Sequence, residues 1–280
     1  MTKRVKLKSF SFHAFCLLIS VVSIYPILWL LKSSLTESNQ VFMQTTQLIP
    51  DHWEFSNYLK GWTGIGGISF ATFFGNTIFI TVVRTFGILF SSALVAYGIS
   101  RIKFRGRKLV FSSMIVSMLL PSQVTMVSSY ILFYKIGWVN TYLPLIVPGW
   151  LGSPFHIFLL MQFCRSLPRQ LDEAATIDGC NNWSIFTRIL LPLMGPPLVT
   201  AGIFAFYFSW NDFMGPLLYL SQARTFPLSM ALRLFADPES VTDWGAMFSM
   251  QFLSIIPCLL VFFIFQKRIV EGIQTTGLKG

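Results

Sequence analysis

FHAFCLLISVVSIYPILWLL, residues 12–31, runs for twenty positions without a charged side chain. At 1.5 Å of rise per residue, such a run spans about 30 Å as a helix, the thickness of a bilayer's hydrocarbon core. It follows the basic start MTKRVKLK. A secretory signal starts in a similar way, but this run is too long for an ordinary h-region and no small-x-small cleavage site follows it. A retained first membrane helix is expected.

Five further runs of comparable character lie at about 70–98, 109–134, 142–163, 195–220 and 246–265. Each supplies the roughly 20 residues that a crossing needs. Arg84 is the one charge in the second run and Asp212 the one in the fifth; the other four have none. The expected fold class is therefore all-α, a polytopic membrane protein of six transmembrane helices. Residues 12–265 are expected to form the membrane domain, with 1–11 as the N-terminal segment and 266–280 as the tail.

Composition agrees. The 280 residues are 54% hydrophobic and only 11% charged, with a mean hydropathy of +0.63. Soluble domains carry about 25% charged residues, so this chain has too few to cover a water-facing surface. The formal charge of +10 reads as loop asymmetry rather than as nucleic-acid binding, because no stacking module or zinc-knuckle spacing accompanies it. With the N-terminus inside, fifteen of the 21 Lys and Arg fall in inner segments, among them the run RIKFRGRK (101–108). Five fall outside: Lys32, Lys60, Lys135, Arg224 and Arg233. Both termini are expected to be cytoplasmic. Outer segment 32–69 contains WTGIGGIS (62–69), read as a flexible stretch, and outer segment 221–245 contains DPES and DWG.

Cys16, Cys164, Cys180 and Cys258 match no metal spacing and are expected as free thiols. His156 lies in an apolar run, where a helix-to-helix hydrogen bond is the expected role. No catalytic constellation or metal site is expected. GxxxxGK[ST] is absent, so the chain lacks the loop that cradles nucleotide phosphates.

The inner segment 164–192, CRSLPRQLDEAATIDGCNNWSIFTRILLP, is patterned too closely for a slack connector. Pro168 suits a helix start, and Asp172 and Glu173 suit the positive end of that helix. Gly179 is placed to end it, through a positive φ or a close approach. A second helix is expected to begin near Asn182 or Trp183 and to run into Leu190. A short amphipathic helix of this kind could lie on lipid headgroups. The cluster of Asp172, Glu173 and Asp178 suits a protein partner better than an anionic membrane.

This segment resembles the EAA loop of the permeases of binding-protein-dependent ATP-binding-cassette importers. Glu173-Ala174-Ala175, Gly179, Ile189 and Leu191-Pro192 stand at that family's spacing, EAA-x3-G-x9-I-x-LP. The likeness extends over nearly the whole chain and is strongest to the MalG-like permeases of carbohydrate importers. Asn76-Thr77, RIKFRGRK, Leu120-Pro121, GWVNTY (137–142), SWNDF (209–213), DWG (243–245) and the end at Lys279-Gly280 support it. The resemblance implies a cytoplasmic coupling helix between spans 4 and 5, docked on an ATPase subunit, with Asp172 and Asp178 beside the motif. It also implies the partners: a second, non-identical permease, two ATPase subunits that hold ATP and magnesium, an extracytoplasmic solute-binding protein and a carbohydrate cargo. The setting would be a bacterial cytoplasmic membrane, with no cofactor on this chain and no nucleic acid.

Trp210 and Asn211 are the candidates for the translocation path, since an indole packs on sugar rings and an amide exchanges hydrogen bonds with hydroxyls. Asp212 is expected to cap or bridge neighbouring polar groups. Arg84 stands where the family is usually apolar, about 14 residues or 21 Å into its helix. It is expected to face a cavity, a partner acid or helix carbonyls, or else to meet an anionic sugar such as a uronate. Two other readings bear on function. A secondary transporter would need paired intramembrane acids or an internal repeat; only Asp212 is of that kind, and no repeat is evident. A non-transporting assembly protein leaves the acidic loop and the SWND stretch without a shared purpose.

Overall fold

The structure is a computed structural model that describes residues 3–235 and 243–277, with side chains described for 12–121, 123–235 and 243–267. The DPES stretch and the Lys279-Gly280 end lie outside the described residues.

The regular structure of the described residues is helical, apart from one isolated bridge between Ile65 and Ile68. Its helices are α1 (Lys3–Ser34), α2 (Ser56–Thr63), α3 (Phe70–Arg101), α4 (Arg107–Leu119), α5 (Ser122–Lys135), α6 (Leu143–Trp150), α7 (Pro154–Ser166), α8 (Gln170–Ile177), α9 (Asn182–Ile185), α10 (Leu191–Leu193), α11 (Gly195–Trp210), α12 (Met214–Tyr219), α13 (Leu228–Phe235) and α14 (Trp244–Gly277). Four stretches are long and apolar enough to cross a membrane without a sharp bend: Phe12–Ser34, Phe70–Arg101, Leu143–Ser166 and Trp244–Lys267. Two bent pairs raise the number to six if each is one span. The chain is thus a multi-pass membrane protein.

Both bends have local causes. The run expected as one helix over 109–134 breaks by 105° between α4 and α5. Leu120 is extended there, at φ −76° and ψ 122°, as a residue before proline prefers. The run expected at 195–220 is helical only to Trp210 and resumes briefly as α12. The segment Asn182–Leu193 meets α11 at 77°, next to Gly195-Pro196-Pro197.

Two compact units share the chain. One comprises residues up to Thr72 together with Ala231–Pro257. Leu30, Val41 and Phe248 form its core. Asn57, 1% exposed, donates to the carbonyls of Ser34 and Thr36, while Ser249 Oγ donates to its backbone oxygen. Asp243 of the DWG stretch accepts from the Ala246 amide at 3.0 Å and so caps α14. The glycine stretch 62–69, expected as flexible, takes the form of a miniature hairpin here. Ile65 and Ile68 exchange backbone hydrogen bonds of 3.1 and 3.0 Å. Gly66 and Gly67 both take positive φ, as a type I′ turn requires.

The other unit holds Phe73–Met230 and Cys258–Gly280. Its core joins the lower half of α3 (Ala93, Ala96, Tyr97, Ile99) to α7 (Ile157, Leu160, Met161, Cys164) and to the loop beyond it (Ile185, Phe186, Leu190). Higher on α3, a Cβ on Gly87 would lie 2.4 Å from the Trp150 ring. Small residues of this kind let membrane helices approach closely. Ser91 Oγ seals the contact by donating to the Gly149 carbonyl at 3.1 Å. The four cysteines are free. His156 Nδ1 pairs with Ser153 Oγ, 2.8 Å away just before its own helix, so the expected helix-to-helix bond is not the one it makes.

Candidate functional site

The loop between α7 and α11 is built as a helical hairpin. Its first leg is α8, with Asp172 and Glu173 in the first turn. Three backbone bonds end that leg: Asp178 N–H to Ala174 O, Gly179 N–H to Thr176 O and Cys180 N–H to Ala175 O. The last two, 5→2 and 6→1, make a Schellman cap. Gly179 holds φ +82°, and a Cβ there would meet nothing within 4 Å. Of the two reasons expected for this glycine, the chain's own structure supports positive φ. The offset between Ala174-Ala175 and Gly179 thus has a backbone cause: Ala175 is the residue whose carbonyl closes the cap.

The second leg starts at Asn182, as expected, with Asn181 Oδ1 accepting from the Ser184 amide at 2.8 Å. Phe186–Leu190 form a π-helical turn in which Leu191 N–H reaches Phe186 O. A wider turn relieves crowding just ahead of Pro192, whose ring would otherwise press on the preceding turn. Ile189 and Leu191 pack half-buried against the core.

Side chains of the loop divide by direction. Glu173, Ala174 and Asp178 are exposed, and so are Ile177 (86%) and Trp183 (59%). Asp172 instead turns inward. Its Oδ2 lies 3.0 Å from Arg101 Nη1. Arg101, 5% exposed in its side chain, also donates through Nη2 to the carbonyls of Cys164 and Leu167 at the end of α7. One turn earlier, Tyr97 Oη donates to the Asn182 carbonyl at 3.0 Å. Tyr97 and Arg101 are four apart and share a face of α3, so the last turn of that helix grips both legs. A cleft of about 460 Å³ opens between the legs, lined by Arg101, Asp172, Glu173 and Ile177 among others. The sequence reading used Arg101 only as a basic residue in a loop and did not single out Tyr97. Their spacing of four at the end of an apolar run was the available signal.

The second polar locus is the break after α11. Asp212 Oδ2 accepts from Arg84 Nη1 at 2.7 Å. Its Oδ1 accepts from the Gly215 amide at 3.0 Å and caps α12. Its backbone carbonyl accepts from Ser229 Oγ. Arg84 therefore meets a partner acid, and Asp212 is the capping and bridging group expected of it. Nearby, Asn76 donates to the carbonyls of Arg224 and Phe226, and Thr77 Oγ1 accepts from the Leu228 amide. Asn140, at φ +65°, accepts from both the amide and hydroxyl of Ser221. These contacts give structural work to the Asn76-Thr77 and GWVNTY stretches. Asn211 is exposed, its Nδ2 donating to the Tyr207 carbonyl. Trp210 is only 5% exposed and lies against Phe74 and Phe206. In this conformation the two candidates for the translocation path thus differ, Trp210 being buried and Asn211 exposed. Among the described residues, no group of three or more His, Cys, Asp or Glu converges to hold a metal.

The chain thus combines apolar helices long enough to cross a membrane, a helical hairpin held by α3 and a charge-paired break in one apolar run, and its sequence holds no nucleotide-cradling loop. The profile of the binding-protein-dependent transport system inner membrane component family matches residues 85–275, and the chain belongs to that family. It is 32% identical over 271 residues to the probable ABC transporter permease protein YurM of Bacillus subtilis, covering 96% of this chain and 88% of the relative. It is also 32% identical over 269 residues to the trehalose/maltose transport system permease protein MalG of Thermococcus litoralis, covering 94% of each. The diacetylchitobiose uptake system permease protein NgcG of Streptomyces coelicolor is 31% identical over 264 residues, covering 94% of this chain and 86% of the relative. The fold matches a chain in the crystal structure of a bacterial ABC transporter involved in the import of the acidic polysaccharide alginate, with a TM-score of 0.82, 22% identity and coverage of 95% of this chain and 98% of that one.

Proposed function

We propose that this chain is one of two non-identical permeases of a carbohydrate importer, and that α8 is the helix through which ATPase subunits drive it. The observation that carries this reading is the division of the loop. Glu173, Ala174, Ile177 and Asp178 face outward, while Arg101, Tyr97 and the glycine cap hold the same hairpin from behind. A helix that only floated on a membrane surface would need neither the acids nor the grip.

In this reading the chain crosses a bacterial cytoplasmic membrane six times, each bent pair forming one span. Both termini and the 164–192 loop face the cytoplasm. Two ATPase subunits, each holding ATP and magnesium, close on one another and push the coupling helices. A solute-binding protein delivers sugar from outside to a path beside Asn211. Relatives named for trehalose/maltose and diacetylchitobiose support carbohydrate as the cargo class.

Co-purification of the ATPase with Glu173→Lys tests the docking assignment. The substitution reverses a charge on the exposed face and places a cation at the positive end of α8. Normal membrane abundance with weakened ATPase association is expected. Full association together with full sugar-stimulated hydrolysis would remove the loop from the coupling role.

A further inference from the structure

Two ion pairs are formed among the described residues, Arg84–Asp212 and Arg101–Asp172. Both arginines belong to α3. They are 17 residues apart, which is about 25 Å of helix. One pair sits at the helical hairpin and the other at the break after α11. We propose that α3 is the connecting rod of the transporter: Arg101 takes up displacement of the coupling hairpin, and Arg84 delivers it to the break that carries Asn211. This rests on the docking role of α8 proposed above.

Several features suit α3 to the task. It runs unbroken for 32 residues with no proline inside it. By contrast, α1 and α14 contain Pro26 and Pro257, and Pro121 stands at the break between α4 and α5. An intact hydrogen-bond ladder transmits axial displacement without kinking. Its lower half lies in one core with α7 and with Ile185, Phe186 and Leu190 of the hairpin, so the second leg of the hairpin moves against packed side chains of α3.

The lower junction is multivalent. Arg101 reaches Asp172 and two α7 carbonyls, while Tyr97 reaches the second leg. The upper junction acts on a hinge. Asp212 adjoins Asn211 and joins Arg84, the α12 amide of Gly215 and Ser229. Loosening Arg84 therefore frees the segment on which Asn211 stands. Arg101 is held by a carboxylate with its own side chain only 5% exposed, where breaking one partner leaves an uncompensated charge and the junction is costly to slip; Arg84 and Asp212 pair at 2.7 Å with both side chains partly exposed. Arg84 and Arg101 are positioning residues; neither is required to touch cargo.

The test uses the complete complex in proteoliposomes and needs no knowledge of the sugar. Asn211→Cys reports on the break through its labelling rate with a charged thiol reagent, corrected for the same complex without that cysteine. Labelling is compared between the nucleotide-free and vanadate-trapped states. With Arg84 and Arg101 intact, the rate is expected to change by about tenfold or more as the population shifts. Arg101→Gln and Arg84→Gln should each bring that ratio towards one while the ATPase remains bound and traps nucleotide. The double variant should be no worse than the poorer single one, because both act in series. Arg84→Lys, which keeps a charge opposite Asp212, should restore part of the ratio.

ATPase retention reports the docking reading, and the labelling ratio reports the rod. An unchanged ratio in Arg84→Gln, about 25 Å from the hairpin, overturns the rod whatever Arg101→Gln does to docking. Losses that multiply in the double variant also overturn it.

Discussion

Gly179 offers the sharpest test of how the proposed coupling hairpin is made, because two explanations for a glycine predict opposite rankings. Its φ is +82°, and a Cβ added there meets no atom within 4 Å. Replacement by Ala therefore costs backbone strain and no steric clash within this chain. An L-residue with a Cβ in the left-handed region loses about 1–2 kcal/mol. That is a factor of about 5–30 in the population of the closed cap. Asn tolerates the same conformation and is the usual substitute at this position of a cap, so Gly179→Asn should retain most of the stability. The expected order is Gly, then Asn, then Ala, then Val. The amides of Gly179 and Cys180 donate the two cap bonds, which makes their hydrogen exchange in the purified, detergent-solubilised subunit the direct readout. Exchange at both should quicken by about 5- to 30-fold in Gly179→Ala and stay near the parent rate in Gly179→Asn. ATPase association should follow the same order. If Asn proved worse than Ala in both measurements, the glycine would be conserving space for a partner rather than conformation, and the backbone argument would be refuted.

Gly87→Ala should destabilise the packing of α3 on α6, since its Cβ would lie 2.4 Å from the Trp150 ring; overpacking of this kind costs about 1–3 kcal/mol. A lowered thermal midpoint in detergent, recovered when Trp150→Leu is added, would check it, and an unchanged midpoint would refute it. Single cysteines introduced at 105 and 178 should resist a membrane-impermeant thiol reagent in intact cells and react in inverted vesicles; labelling from outside would reverse the proposed orientation.

Several features were legible in the sequence because they depend on neighbours along the chain. A run such as 12–31 must be helical in lipid, since every backbone N–H and C=O has to find its partner within the segment. The cap at Gly179 closes over six consecutive residues, 175–180, so a glycine at the right offset from Ala175 announces it. The bend at Pro121 was not in the expectation of one helix over 109–134, although the steric demand of a proline on Leu120 is a local signal for it. The start of the second hairpin leg at Asn182 was foreseeable from the polar residues that cap helices.

Tertiary structure decided the rest. Arg84 and Asp212 are 128 residues apart, and Arg101 and Asp172 are 71 apart; no periodicity records which charges will meet. Asp172 and Glu173 are adjacent acids on one short helix, yet one turns into Arg101 and the other faces out. Successive helical residues point about 100° apart, and only the packing of α8 on α3 chooses which direction is inside. Trp210 and Asn211 divide in the same way, one against Phe74 and Phe206 and the other exposed. The local sequence determined helices, caps and breaks because hydrogen-bond satisfaction and steric limits act within a few residues; partners and facing were decided by three-dimensional packing, which brings distant segments together.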